Sequence, residues 1–229
     1  MKTKIALVDD HQITREPLAL FLNRHSNYEV IMEAGDGKTF IDQIRKSQVL
    51  PDIVVLDLMM PVMDGFEVAL WLQQYHKYIQ VLVLTMSHKY GMIARLLQLG
   101  VKGILSKEDN LEELENALNT LRQRKIYMNR HVTGSMFKEH LNDKTAKEDM
   151  ERITNAEFRF LRLCCSELTY SAIAERMYVS PRTVESYRDS LFEKFNIRSR
   201  YGLIMFACRK GIVDLEGNDP VMYLGSRPE

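Results

Sequence analysis

Residues 5–11 read IALVDDH, a short apolar run that ends in two adjacent aspartates. The run from Ile5 to Val8 has the length and the aliphatic, β-branched character of a buried strand. Asp9 and Asp10 follow it directly, although two neighbouring carboxylates repel each other and are costly to bury. The pattern therefore predicts that a positively charged group shares the end of this strand.

Apolar runs of the same kind recur along the first half of the chain. Further strand-like runs cover residues 30–33, 53–56, 81–85 and 103–105. Between and after these runs, apolar residues have the spacing of a helix with one buried face. Five strands that alternate with five helices predict an α/β fold, a five-stranded parallel doubly wound sheet of the flavodoxin-like type. In such a sheet the functional crevice lies at the carboxyl ends of the strands.

Polar residues occur at the ends of the other predicted strands. Asp57 ends the third strand, Thr85 ends the fourth, and Lys107 follows the fifth. Because the carboxyl ends of parallel strands gather along one edge, we expect these residues to meet Asp9 and Asp10 in one crevice. Carboxylates suit a hard divalent cation such as Mg²⁺, and Asp57 can act as a nucleophile toward phosphorus. Lys107 and Thr85 can then bind phosphoryl oxygens.

The second half of the chain has no strand pattern after about residue 122. Ser180 and Pro181 are a good N-cap and a good first residue for a helix that runs to about Phe195. A shorter helix is predicted over residues 171–177. Together the two have the layout of a helix-turn-helix, whose second helix enters the DNA major groove. Short basic helices alone also fit a helical interaction domain.

The charge of the chain is unevenly distributed, although 31 basic and 31 acidic residues balance overall. Residues 1–122 carry 13 basic and 16 acidic side chains, whereas residues 151–213 carry 11 and 7. The two halves are therefore expected to have different partners. The three cysteines have no metal-binding spacing, and no segment reads as a signal peptide or a membrane span. These features predict a cytoplasmic protein that does not bind membranes.

Residues 1–122 resemble the receiver domain of two-component signalling. The resemblance is carried by "LVDDH", "DIVVLDLMMPVMDG", "VLT" and "GVKGILSK". It implies that Asp57 is the phosphoacceptor and that Mg²⁺ is bound by Asp9, Asp10, Asp57 and the backbone carbonyl of Met59. It also assigns phosphate binding and switching to Thr85 and Lys107. Ile104 stands where such receivers usually have a tyrosine or phenylalanine that moves during switching, and Met86 stands where they have a small residue.

The second half resembles the DNA-binding domain of the NarL/FixJ regulators, which have a LuxR-type helix-turn-helix. The resemblance is carried by "ITNAEFRFLRL", "IAERMYVSPRTVESYRDSL" and "ACRKGIV". It implies a domain over residues 151–213, a partly helical linker over 123–150 and a tail over 214–229. Candidate DNA-contacting residues are Ser180, Arg182, Thr183, Glu185, Ser186, Tyr187, Arg188, Asp189, Lys194, Arg198 and Arg200.

The two resemblances together imply a response regulator rather than an enzyme. A sensor histidine kinase would phosphorylate Asp57, and a homodimer would bind paired sites on double-stranded DNA. An alternative follows from Ile104 and Met86, namely a regulator whose DNA binding is independent of phosphorylation and is set by dimerisation or protein partners. A phosphohydrolase is disfavoured, because the segment from Asp57 to Met59 lacks the second aspartate that such enzymes use as a general acid.

Overall fold

The computed structural model describes residues 2–86, 89–128 and 144–213. The chain divides into two compact units, one built mainly from residues before 129 and one mainly from residues after 143. Within the described residues, no helix is both long enough and apolar enough to cross a membrane. The proposed tail over 214–229 and the middle of the proposed linker lie outside the described residues.

The first unit is a parallel sheet in the strand order β2-β1-β3-β4-β5-β6 with helices in the connections. Its strands are β1 (Thr3–Val8), β2 (Tyr28–Ala34), β3 (Ile53–Asp57), β4 (Gln80–Thr85), β5 (Gly103–Ser106) and β6 (Tyr127–Met128). Its helices are α1 (Gln12–Arg24), α2 (Gly37–Lys46), α3 (Gly65–Tyr75), α4 (Tyr90–Gln98) and α5 (Leu111–Arg122). The predicted α/β fold class is confirmed.

The central strands β3 and β4 are buried along their whole length. Their near-continuous apolar sequence is what a strand covered by helices on both faces requires. Ile53 and Leu82 belong to a core that also contains Leu22 of α1 and Leu118 of α5. This core fixes the strands, so that their carboxyl ends lie along one edge of the sheet.

The sheet has six strands rather than the five that the sequence predicted. Tyr127 and Met128, at the start of the predicted linker, pair in parallel with Gly103 and Ile104 of β5. The Tyr127 hydroxyl also donates a hydrogen bond to the Glu113 carboxylate on α5. A two-residue strand leaves no periodic pattern in the sequence, because its stability comes from pairing with an edge that is distant in the chain.

The second unit consists of helices in the described residues. They are α6 (Lys144–Arg152), α7 (Asn155–Cys164), α8 (Tyr170–Met177), α9 (Pro181–Phe195) and α10 (Arg200–Arg209). The side chains of Thr154, Thr169, Ser180 and Ser199 cap the last four of these helices. Helices α8 and α9 form the predicted helix-turn-helix pair.

Candidate functional site

Three carboxylates lie at one edge of the sheet, at the ends of β1 and β3. The two strands are parallel neighbours with Val8 paired to Leu56, so the residues that follow them lie side by side. Asp9 and Asp57 are only 6% and 2% exposed, whereas Asp10 is exposed. The structure therefore brings together the three aspartates that the sequence placed at the strand ends.

Lys107 is the positive group beside these carboxylates. Its Nζ atom lies 2.8 Å from Oδ2 of Asp57 and 3.0 Å from Oδ2 of Asp9. The Lys107 backbone N–H also donates a hydrogen bond to the Thr85 carbonyl at 3.0 Å, which ties the ends of β4 and β5 together. The lysine that the sequence placed after the fifth strand is thus in direct contact with two of the aspartates.

Burial and charge act in opposite directions on this cluster. Burial raises the pKa of Asp57 above its usual value, while Lys107 and the Met59 backbone N–H oppose the rise. Burial tends to lower the pKa of Lys107, but the carboxylates of Asp57 and Asp9 raise it overall. Lys107 therefore remains protonated, and the environment of Asp57 disfavours its charged form.

The cluster has the donor chemistry of a divalent metal site. Potential ligand atoms of Asp9, Asp10, His11 and Asp57 lie within 4.8 Å of one another. The Oδ2 atom of Asp57 is buried and lies 2.8 Å from the Lys107 ammonium, which also contacts Asp9. Two buried carboxylates that share one lysine leave an excess of negative charge, which fits a site that receives a cation. The three aspartates are compatible with a hard cation.

The backbone after β3 approaches Asp57 closely. The Gly65 N–H donates a hydrogen bond to the Leu58 carbonyl at 3.0 Å. A Cβ atom at Gly65 would lie 2.2 Å from the Asp57 backbone oxygen, so a larger residue would force the two segments apart. Helix α3 starts at this glycine, and Asp64 caps it through the Glu67 N–H.

The predicted switch threonine and the two positions that depart from the receiver pattern have clear locations. Thr85 is only 3% exposed at the end of β4, and Ile104 is fully buried on β5. Met86, directly after Thr85, is 47% exposed. The side chain at the usual switch position is thus an aliphatic core residue with no hydroxyl or ring to expose.

In the second unit, helix α9 presents a polar face to solvent. Val184 and Leu191 are fully buried and hold the helix against the domain. The Ser180 hydroxyl accepts a hydrogen bond from the Thr183 N–H at 3.1 Å, as expected for an N-cap. The predicted DNA-contacting residues with exposed positions are Ser180, Arg182, Glu185, Ser186, Asp189 and Arg198.

The other candidate residues are partly buried, and some are engaged within the domain. These are Thr183, Tyr187, Arg188, Lys194 and Arg200. The Arg188 guanidinium is paired with Asp189 at 2.8 Å. The Arg200 guanidinium donates hydrogen bonds to the backbone carbonyls of Cys164 and Ser166, at 3.0 and 2.7 Å. Arg200 therefore connects α10 to the end of α7.

Lys194 is bound by a buried glutamate that the sequence did not single out. Its Nζ atom lies 2.7 Å from both carboxylate oxygens of Glu157, which is 4% exposed. Glu157 also accepts hydrogen bonds from the Ser190 hydroxyl and the Thr154 N–H. These bonds fix α9 on α7. The Thr154-x-x-Glu157 capping box was a visible signal for the local bond, but not for the bond to Lys194.

A doubly wound sheet with a buried aspartate–lysine cluster, followed by a helix-turn-helix, defines a two-domain regulatory protein. Comparison with known families agrees for both parts. Residues 5–119 match the model described as "Response regulator receiver domain", and residues 151–207 match "Bacterial regulatory proteins, luxR family". The chain belongs to the response regulators of the NarL/FixJ family, which are DNA-binding regulators of transcription and not enzymes.

Individual relatives cover nearly the whole chain. It is 28% identical over 217 residues to the oxygen regulatory protein NreC of Staphylococcus carnosus, covering 92% of this chain and 99% of the relative. It is 25% identical over 227 residues to the transcriptional regulatory protein DegU of Brevibacillus brevis, covering 93% and 95%. These similarities support one common two-domain architecture.

A solved structure supports the fold. RcsB of Salmonella enterica serovar Typhimurium, determined bound to a promoter in the presence of a phosphomimetic, matches with a TM-score of 0.68. The match covers 90% of this chain and 98% of the RcsB chain at 22% identity. At this identity the likeness concerns the fold.

Proposed function

We propose that Asp57 accepts a phosphoryl group from a sensor histidine kinase and that this modification controls DNA binding. The observation that carries the proposal is the state of the Asp57 carboxylate. It is 2% exposed, its Oδ2 atom lies 2.8 Å from Lys107 Nζ, and it shares that lysine with the buried Asp9. Two buried carboxylates beside one lysine are costly for a fold, and such clusters with shifted pKa values are typical of functional sites.

In the proposed reaction an Asp57 carboxylate oxygen attacks phosphorus as the bond from phosphorus to the imidazole nitrogen of the kinase breaks. The phosphoryl group ends as an acyl phosphate on Asp57, and the imidazole leaves with the electron pair of the broken bond. Lys107 donates a charge-assisted hydrogen bond to one phosphoryl oxygen. The Thr85 hydroxyl donates to another, which draws the end of β4 toward the modified aspartate.

We further propose Mg²⁺ as the cation of this site. Asp9, Asp10, Asp57 and the Met59 carbonyl would hold it, a set of oxygen ligands few enough to leave positions for water. The cation would neutralise negative charge on the transferring group. Lys107, which contacts both carboxylates, offsets part of the repulsion between Asp9 and Asp57.

We also propose that α9 enters the major groove of double-stranded DNA. Its exposed face carries Glu185, Ser186 and Asp189, whose oxygens can accept hydrogen bonds from base amino groups. Arg182, Arg198 and an Arg188 released from Asp189 would contact phosphates. Two copies of the chain would bind paired half-sites as a homodimer. RcsB dimers bound to DNA have been described for the related fold.

The proposal divides the chain as the sequence suggested. Residues 1–122 form the receiver, 123–150 the linker and 151–213 the DNA-binding domain, with a tail over 214–229. The two family matches support these limits, because they end and begin at residues 119 and 151. The pairing of β6 with β5 means that the first part of this linker is attached to the receiver sheet.

The test is intact-mass measurement after incubation with acetyl phosphate and Mg²⁺, followed by titration against DNA selected from a random pool. We expect one added phosphoryl group on the wild-type chain, none on Asp57→Asn, and tighter DNA binding by the phosphorylated form. Asp52→Asn, an exposed aspartate at the opposite ends of the strands, is the matched control and should be phosphorylated normally. Phosphorylation of Asp57→Asn would contradict the assignment of the phosphoacceptor.

A second function is favoured by one observation, the complete burial of Ile104 next to β6. Because Ile104 has no ring to reorient, phosphorylation of the receiver would leave DNA binding unchanged. Dimerisation or a protein partner would then determine the DNA affinity. In that case the wild-type chain and Asp57→Asn would bind DNA with the same affinity before and after acetyl phosphate treatment. This outcome is distinct from a failure of phosphorylation, because the mass measurement reports the latter separately.

A further inference from the structure

A second cavity lies at the amino ends of the strands, at the opposite edge of the sheet from Asp57. It has a volume of about 280 Å³, and it is lined by Lys2, Thr3, Lys4, Leu50, Asp52, Ile53, Gln80, Arg122 and Arg124. Strand β3 runs from Ile53, in this cavity, to Asp57, a distance of about 13 Å along an extended chain. The cavity is therefore separate from the phosphoacceptor site.

Four cations and one carboxylate line this cavity. The carboxylate, Asp52, accepts a hydrogen bond from the Lys4 backbone N–H at 2.8 Å, so one of its oxygens already serves the backbone. Within the described residues, none of the four basic side chains forms an ion pair. The single carboxylate balances only one of the four positive charges, and a bound anion would reduce the repulsion among the others.

The two arginines are held in place by neutral groups. Arg124 donates a hydrogen bond to the Tyr78 backbone carbonyl at 2.8 Å. Arg122 donates one to the Asn119 amide oxygen at 3.3 Å, and its guanidinium lies 5.8 Å from the centre of the Tyr28 ring. These contacts orient both guanidinium groups and leave their charge uncompensated.

The backbone at Arg124 is also unusual. Its φ of 59° lies in the left-handed region, where glycine or asparagine is the usual residue after a helix. An arginine accepts this conformation at a steric cost. The conformation ends α5 in a tight turn and places Arg124 on the lining of the cavity.

We propose that this cavity binds a small anion with more than one negative charge, such as an oligophosphate. The concave shape favours a compact ligand over duplex DNA, whose phosphates lie on a convex surface. The volume is near the lower end of the range for small-molecule pockets. Because Arg122 ends α5 and Arg124 lies between α5 and β6, a ligand here would also fix the start of the linker.

Isothermal titration of the full chain with inorganic pyrophosphate, without divalent cations and at physiological salt, tests the proposal. We expect saturable binding at one site per chain, about tenfold weaker in Lys4→Gln and in Arg124→Gln, because each loses a charge-assisted hydrogen bond. Lys125→Gln is the matched control, since Lys125 is exposed and adjacent but does not line the cavity. Lys107→Gln separates this site from the phosphoacceptor cluster. Both controls should bind as the wild type does.

The same titration is repeated with inorganic phosphate and with ATP. Weaker binding of phosphate than of pyrophosphate supports a requirement for several charges, and tighter binding of ATP would assign a nucleotide as the ligand class. The proposal is overturned by non-saturable binding, by equal losses in Arg124→Gln and Lys125→Gln, or by a loss confined to Lys107→Gln. Arg124-dependent binding of short duplex DNA with no pyrophosphate binding would assign the surface to nucleic acid instead.

Discussion

The two domains each contain a buried carboxylate paired with a lysine, and the two pairs have opposite electrostatic properties. Asp57 and Glu157 are 2% and 4% exposed, and their lysines lie 2.8 and 2.7 Å away. Yet the pKa of Asp57 is raised, whereas that of Glu157 is lowered. Burial is the largest influence in both cases, and it raises both pKa values.

The opposite pKa shifts of Asp57 and Glu157 follow from how many hydrogen-bond donors and neighbouring charges surround each carboxylate. Glu157 receives hydrogen bonds from Lys194, from Ser190 and from the backbone N–H of Thr154. Asp57 shares its lysine with Asp9, whose negative charge raises the pKa of Asp57 further. A carboxylate with several donors of its own stabilises a fold, whereas one that shares its lysine with a second carboxylate is available for chemistry.

The largest effect on stability is expected from removing the Glu157 carboxylate, whose acceptor sites are filled. Glu157→Ala should lower the free energy of unfolding of the second domain by roughly 3 kcal/mol, because Lys194, Ser190 and the α7 cap all lose their partner. Hydrogen exchange of the amides in α7 and α9 measures this in the full chain. Glu167→Ala, at an exposed position in the same domain, should leave exchange unchanged. Equal protection in both variants would show that Glu157 does not anchor α9.

A smaller effect is expected from acid. The pKa of Glu157 in the folded chain lies below its ordinary value of 4.5. The ionised carboxylate therefore contributes its full stability above about pH 4.5, and this contribution is lost as the pH falls through the folded pKa. Exchange in α7 and α9 should accelerate as the pH falls below about 4.5, after correction for intrinsic rates. In Glu157→Gln this acceleration should be weaker. If exchange depends on pH in the same way in this variant and in the wild type, the acid sensitivity does not come from Glu157.

The smallest change in stability is expected at the phosphoacceptor. Asp57→Asn removes one of two buried carboxylates that share Lys107, and the lysine keeps its contact with Asp9. We expect the free energy of unfolding to rise or to change by less than about 1 kcal/mol. The single tryptophan, Trp71 on α3, reports denaturation of the receiver by its fluorescence. A loss as large as that in Glu157→Ala would show that the two pairs are equivalent after all.

Local patterns predicted most of the fold and the centre of the receiver site. The apolar runs located strands β1 to β5, and the order of a parallel sheet was enough to bring Asp9, Asp10, Asp57 and Lys107 to one edge. His11 was missed, although it directly follows the acidic pair and its Nδ1 lies 2.9 Å from Asp10 Oδ1. An imidazole at a strand end has no periodic signature, and its direction depends on neighbours that the sequence does not show.

The sequence by itself determined which elements form and which residues stand at their ends, because periodicity and capping depend on neighbours a few positions apart. Only the tertiary structure decided which charges are committed within the domains. Lys194 and Arg200 read as possible phosphate contacts, but their partners Glu157 and Cys164 are 37 and 36 residues away. Long side chains have many rotamers, and the fold alone selects the one with a buried acceptor. The same holds for β6, whose two residues become a strand only beside β5.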